Sequence, residues 1–132
     1  MTGMTPKPFW ARIMPWIWTV LAVGVALFFI RAAWEKLVGM PSALAPFREF
    51  GWPLWMATAT AAAEILGAVA LVIPKVRHVG GLLLTAIMVG AAFTNIANGH
   101  PEYLWVNVVL ACASLLLAWH AQRQRWRLRN GI

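Results

Sequence analysis

The chain has 132 residues, 61% of them hydrophobic and only 11% charged, where an average soluble domain carries about 25% charged residues. Four acidic and eleven basic side chains cannot furnish the polar skin of a water-soluble fold this size, so a lipid bilayer is the expected solvent. The apolar content excludes disorder, and a lone cysteine, Cys112, excludes an intrachain disulfide scaffold and a Cys-ligated metal or cluster.

Four apolar runs follow one another, each long enough at roughly 20 residues to cross a bilayer as a helix. The first, 13–38, carries no charge from Ile13 to Ile30, continues through Arg31, Glu35 and Lys36, and is stopped by Gly39 and Pro41. It reads as a retained span, because its basic leader is not followed by a small-residue cleavage site. The second, 53–73, opens on Pro53, has Glu64 as its only charge and ends before Pro74. The third, 79–97, closes on the turn residues Asn98, Gly99 and Pro101. The fourth, 103–121, leads into a basic tail, 122–132, with Arg123, Arg125, Arg127 and Arg129. None of the runs alternates with period two, so membrane strands are excluded. The expected fold is an all-α, integral membrane four-helix bundle forming one domain.

A net charge of +7 would suit nucleic acid if it lay on one patterned face, but the cations sit at the ends of apolar runs, so no nucleic-acid partner is expected. Their placement reports topology. Lys7, Arg12, Lys75, Arg77 and the tail arginines fall on one side of the bilayer, against Lys36 and Arg48 on the other. By the positive-inside rule both termini are expected to be cytoplasmic in an inner membrane, with the tail held at the anionic leaflet. Trp16, Trp18, Trp52, Trp55, Trp105, Trp119 and Trp126 lie near run ends, where amphipathic rings favour the interface.

Charges inside an apolar run are the informative residues, since each costs about 2.5–3.5 kcal/mol at a helix centre and so demands a partner. Arg31 and Glu35, four apart, share a helical face. Glu64 lies near mid-span, and no cation on its own helix can reach it. With the expected orientation the polar residues gather in the outer half: Arg31, Glu35 and Lys36, then Thr94 and Asn95, then Asn107 beyond His100, Glu102 and Tyr103. Small residues recur at three- and four-residue spacing through Glu64 (Ala57, Thr60, Ala61, Gly67, Ala68), and Asn107, Ala111, Ser114 and Ala118 repeat the pattern in the fourth run. Met88, Ala91, Asn95 and Asn98 do so in the third. These faces should line the bundle centre. Arg31, Glu35, Glu64, Asn95 and Asn107 are therefore the candidate ligand-binding or proton-relay residues, around a polar pocket opening to the extracytoplasmic face.

Each has a plainer reading: a structural ion pair of Arg31 with either Glu35 or Glu64, interhelical glue for the asparagines, a solvated loop residue for His100, a small core residue for Cys112. His78 and His120 at the cytoplasmic interface suggest a bis-histidine haem or metal, but neither is embedded and no further ligand is evident, so no metal site is expected. No nucleophile triad, phosphate-cradling glycine loop or zinc spacing occurs.

The chain resembles the DoxX family of small four-helix membrane proteins over Val23 to Ala121. The resemblance lies in the order of its motifs: Arg31 followed by Glu35-Lys36-Leu37, the segment Phe47 to Pro53 with its Phe-Gly-Trp-Pro, then Ala63-Glu64-Ile65-Leu66-Gly67, the basic turn Pro74 to His78, and a third helix carrying Met88 and closing on polar residues. It departs at Ala33, where the family often has glycine, and at Asn95, where many members have histidine, which removes a titratable group from the pocket. The family takes its name from a subunit of a thiosulfate:quinone oxidoreductase, so the resemblance implies a redox-linked membrane subunit. The expectation is a DoxX-like protein that encodes no cofactor of its own, binds a quinone or similar amphipathic molecule in the outer-half pocket, and works with a protein partner or as a homo-oligomer. The alternatives are a non-catalytic accessory subunit of a larger complex and a small lipid or metabolite carrier.

Overall fold

The computed structural model describes residues 5–131. It contains helices α1 (Phe9–Leu37), α2 (Pro41–Phe50), α3 (Leu54–Val72) and α4 (Arg77–Ala97), a 3-10 turn at Pro101–Tyr103, and α5 (Leu104–Asn130). Four of these, α1, α3, α4 and α5, are long and apolar enough to cross a membrane, which makes the chain a multi-pass, all-α membrane bundle. At roughly 1.5 Å per residue α3 is about as long as a bilayer core is thick, whereas α1 and α5 exceed it.

Large apolar side chains cover the outside of the bundle, among them Trp34, Leu66, Phe93 and Val109. Lipid solvates these as well as a protein core would, so helix association rests on close packing of small residues. α1 packs on α3, α3 on α4, and α4 on α5. The shared core runs through all four long helices, with Ala26 and Phe29 of α1, Ala68 and Leu71 of α3, Leu84 and Met88 of α4 and Leu117 of α5. The closest approaches are at glycines. A Cβ on Gly80 would lie 2.7 Å from the Gly67 carbonyl oxygen of α3, and one on Gly81 would lie 2.6 Å from the Ser114 carbonyl oxygen of α5.

Sequence and structure differ at several places. α2 falls where the chain was expected to loop: Pro41 starts it, Gly39 and Gly51 (φ 78° and 83°) bound it in left-handed conformations, and its buried Leu44 and Phe47 dock on Ala57 of α3. α5 continues as helix through the basic tail to Asn130, and α4 begins at Arg77, two residues early. Arg77 is buried because its Nε donates at 2.7 Å to the carbonyl of Leu71, one of the last α3 carbonyls, which would otherwise lack an acceptor role in lipid. Cys112 is exposed on the outer surface of α5, since the buried face of that helix runs through Asn107, Ser114 and Ala118.

The antiparallel order gives the bundle two unlike ends. Lys7, Arg12, Lys75, Arg77 and the four arginines of α5 gather at the end that holds the α3–α4 turn, and no acidic residue accompanies them. Three of the four acids, Glu35, Glu49 and Glu102, lie in the other half, where α2 and the 3-10 turn are, and Glu64 sits at mid-depth in α3.

Candidate functional site

Glu64 occupies the middle of α3 and is 1% exposed. An ionised carboxylate at that depth requires a cation, and the one that reaches it is Lys36 in the last turn of α1, with Nζ 2.7 Å from Oε1. The second carboxylate oxygen, Oε2, has no hydrogen-bond partner. The same ammonium donates to the Ala32 carbonyl at 3.5 Å. Its four-carbon stem lies along the apolar wall while the charge sits at the tip.

The pair lies on the wall of a cavity of about 560 Å³, within the range of small-molecule sites. α1 contributes Glu35 and Lys36, α2 Pro46 and Phe47, α3 Thr60 and Glu64, α4 Met88 and Asn95, and α5 Asn107. Most of the lining is apolar, with Trp52 just before α3 and Trp55 in its first turn. The Asn107 side chain is buried and its Nδ2 has no partner. By contrast the threonine hydroxyls are satisfied within their own helices: Thr60 Oγ1 donates to the Met56 carbonyl at 2.8 Å and Thr94 Oγ1 to that of Gly90 at 2.9 Å. The polar groups left on the lining thus include the Lys36–Glu64 pair, Glu35 and the amides of Asn95 and Asn107.

Of the five residues singled out from the sequence, Glu35, Glu64, Asn95 and Asn107 come to this cavity, and Arg31 does not. Arg31 points outward, 81% exposed, with Nε 3.3 Å from Glu35 Oε1. Of the two partners open to Arg31 in the sequence, Glu35 and Glu64, it takes Glu35, and Glu64 is met by Lys36. Helical geometry gives the reason: the buried stripe of α1 runs Ala22, Ala26, Phe29, Ala33 and reaches Lys36 at the next step, while Arg31 lies between two of its steps on the other side. That stripe was the signal in the sequence that pointed to Lys36.

The α4–α5 connection ties α2 over the cavity. Asn98 Nδ2 donates to the Pro46 carbonyl at 3.2 Å, and His100 bridges two carboxylates, with Nε2 2.9 Å from Glu49 of α2 and Nδ1 3.1 Å from Glu102. His100 is thus a link between segments and more than a solvated loop residue. The two carboxylates sit on opposite ring nitrogens and do not converge on one point. Its pKa is raised above the ordinary histidine value, chiefly by the hydrogen bond to Glu102 and then by the bond and charge of Glu49. A raised value means that the link contributes fully below the ordinary value of about 6.5 and is lost as pH climbs through the raised one. Hydrogen exchange of the α2 amides should accordingly quicken a few-fold as pH rises through neutrality, after correction for intrinsic exchange, and His100→Ala should remove that dependence. Equal pH profiles in both proteins would refute the link.

The histidines at the basic end have local partners: His120 stacks on Trp18 with ring centroids 3.9 Å apart, and His78 accepts from Arg125. No curated protein and no solved structure matches the chain. The model of the DoxX-like family does match, over residues 20–117, a stretch that takes in both members of the buried ion pair and the whole cavity lining, and the chain belongs to that family.

Proposed function

We propose that this DoxX-like membrane protein is a redox-associated subunit that binds a quinone, or an amphipathic carbonyl compound like it, in the cavity beside Lys36 and Glu64. The observation that carries the reading is an ion pair placed on the wall of a cavity that is also lined by a buried amide without a partner. The Glu64 carboxylate is itself closed off, but Lys36 keeps part of its exposure, and the pair borders a space large enough for a ring.

The residues present suit such a molecule. Lys36 Nζ and Asn107 Nδ2 are donors for carbonyl oxygens, Trp52 and Trp55 offer flat apolar faces, and an isoprenoid tail belongs in the surrounding lipid. A quinone, when bound, accepts two electrons and two protons. Glu64 holds a proton site inside the cavity and Glu35, half-buried on its rim, links that site to the outside. The electrons come from a protein partner. The end of the bundle with eight cations and no acid lies on the cytoplasmic side, which puts both termini inside and the cavity half toward the extracytoplasmic face of an inner membrane.

Titration of the full chain in mild-detergent micelles with decylubiquinone, followed by tryptophan quenching, tests the binding directly. Saturable quenching is expected, and replacing Trp52 and Trp55 with Phe should remove most of its amplitude. Quenching that never saturates, or that survives unchanged in that double variant, would overturn the reading.

A further inference from the structure

The basic end carries a second hollow, of about 230 Å³, between α4 and α5. Gln122, Arg125, Trp126 and Arg129 line it from α5, spaced so that they form one face of the helix, and His78 lines it from the first turn of α4. Arg125 Nη1 lies 3.2 Å from Nδ1 of His78 and also touches Nε2, so the ring accepts from the guanidinium and holds it at the hollow. We propose that this hollow binds the phosphate headgroup of one anionic phospholipid.

Three observations lead there. First, the charge at this end is uncompensated: three of the four acidic side chains lie in the other half and Glu64 is at mid-depth, so no acidic side chain among the described residues answers Arg125 or Arg129. Second, Arg77 is engaged on the Leu71 carbonyl and Arg123 over the Trp119 ring at 4.9 Å, whereas Arg129 has no polar partner among the described residues and Arg125 meets only the His78 ring, which leaves N–H groups of both guanidinium forks for an oxyanion. Third, the hollow sits where a span meets the interface. Trp126 supplies the ring that favours headgroup depth, and one turn below His78 on α4 the exposed Leu82 begins an apolar face along which an acyl chain can lie. A free phosphate would use the arginines but neither Trp126 nor Leu82. The site differs from general attraction of a basic tail to an anionic leaflet, because it assigns the headgroup to one face of α5.

Native mass spectrometry of the full chain in dodecyl maltoside, with added dioleoylphosphatidylglycerol, reads the site. One retained lipid per chain is expected, and Arg125→Gln with Arg129→Gln should weaken retention by about tenfold or more, whereas Arg123→Gln with Arg127→Gln, which removes the same charge from other faces of α5, should change it by less than about twofold. Equal loss in the two double variants would show diffuse attraction only. Equal retention of dioleoylphosphatidylcholine, or displacement of the lipid by equimolar inorganic phosphate, would likewise overturn the proposal.

Discussion

Lys36→Met alone should destabilise the bundle by about 3–5 kcal/mol, because it leaves the Glu64 carboxylate buried with no cation in reach. Lys36 combined with Glu64, as Lys36→Met/Glu64→Leu, should recover most of that loss, since the double variant replaces both charges with apolar groups of similar volume. Glu64→Gln is milder, at about 1 kcal/mol, because Lys36 keeps the Ala32 carbonyl and part of its exposure. Unfolding of the purified chain in mixed sodium dodecyl sulfate and dodecyl maltoside micelles gives all three values. The double variant folds yet lacks the charges, so it separates stability from ligand binding: retained folding with lost binding is the expected pair of results. A double variant as unstable as Lys36→Met would mean that the two side chains are not coupled.

The second large effect is steric. Gly81→Ala would put a Cβ 2.6 Å from the Ser114 carbonyl oxygen and 2.8 Å from Ala118 Cβ, and Gly80→Ala would put one 2.7 Å from both the Gly67 oxygen and the Leu71 nitrogen. Three of these four atoms belong to backbone, so α4 must move as a body away from α3 or α5. Each substitution should cost about 2–3 kcal/mol, in the range of overpacked cores. Gly24→Ala is the matching control: it meets nothing within 4 Å and should be neutral or stabilise by up to about 1 kcal/mol, as alanine does in a helix interior. Because Met88 and Asn95 of α4 form one wall of the cavity, displacement of that helix should also weaken decylubiquinone binding. Equal stability of Gly81→Ala and Gly24→Ala would show that the helices are farther apart than described.

The spans were legible because length and apolarity are properties of one helix at a time. The faces through Glu64 and Asn107 were legible too, since a stripe of small residues marks where a neighbour comes close, whatever that neighbour is. Which cation meets Glu64 was not, because it depends on how α1 is turned against α3. Arg31 and Lys36 are five residues apart and so lie well over a quarter turn from each other, and only the stripe from Ala22 to Ala33 says which one faces inward. α2 escaped notice for another reason: Pro41, Pro46, Arg48 and Glu49 within ten residues read as a loop, yet Pro41 falls at the helix start and Leu44 and Phe47 supply a short apolar face. The adjacent glycines 80 and 81 were read only as part of an apolar run. Two neighbouring residues without side chains in a spanning helix serve two different helices, one on each side.

The most direct test of the account is the quinone content of the full chain, purified in mild detergent, extracted with organic solvent and quantified by chromatography against protein. The wild-type chain should yield quinone on the order of one per chain, as a single cavity of this size allows. The folded Lys36→Met/Glu64→Leu variant should yield almost none. The same content in both proteins would contradict a ligand site built on the buried pair.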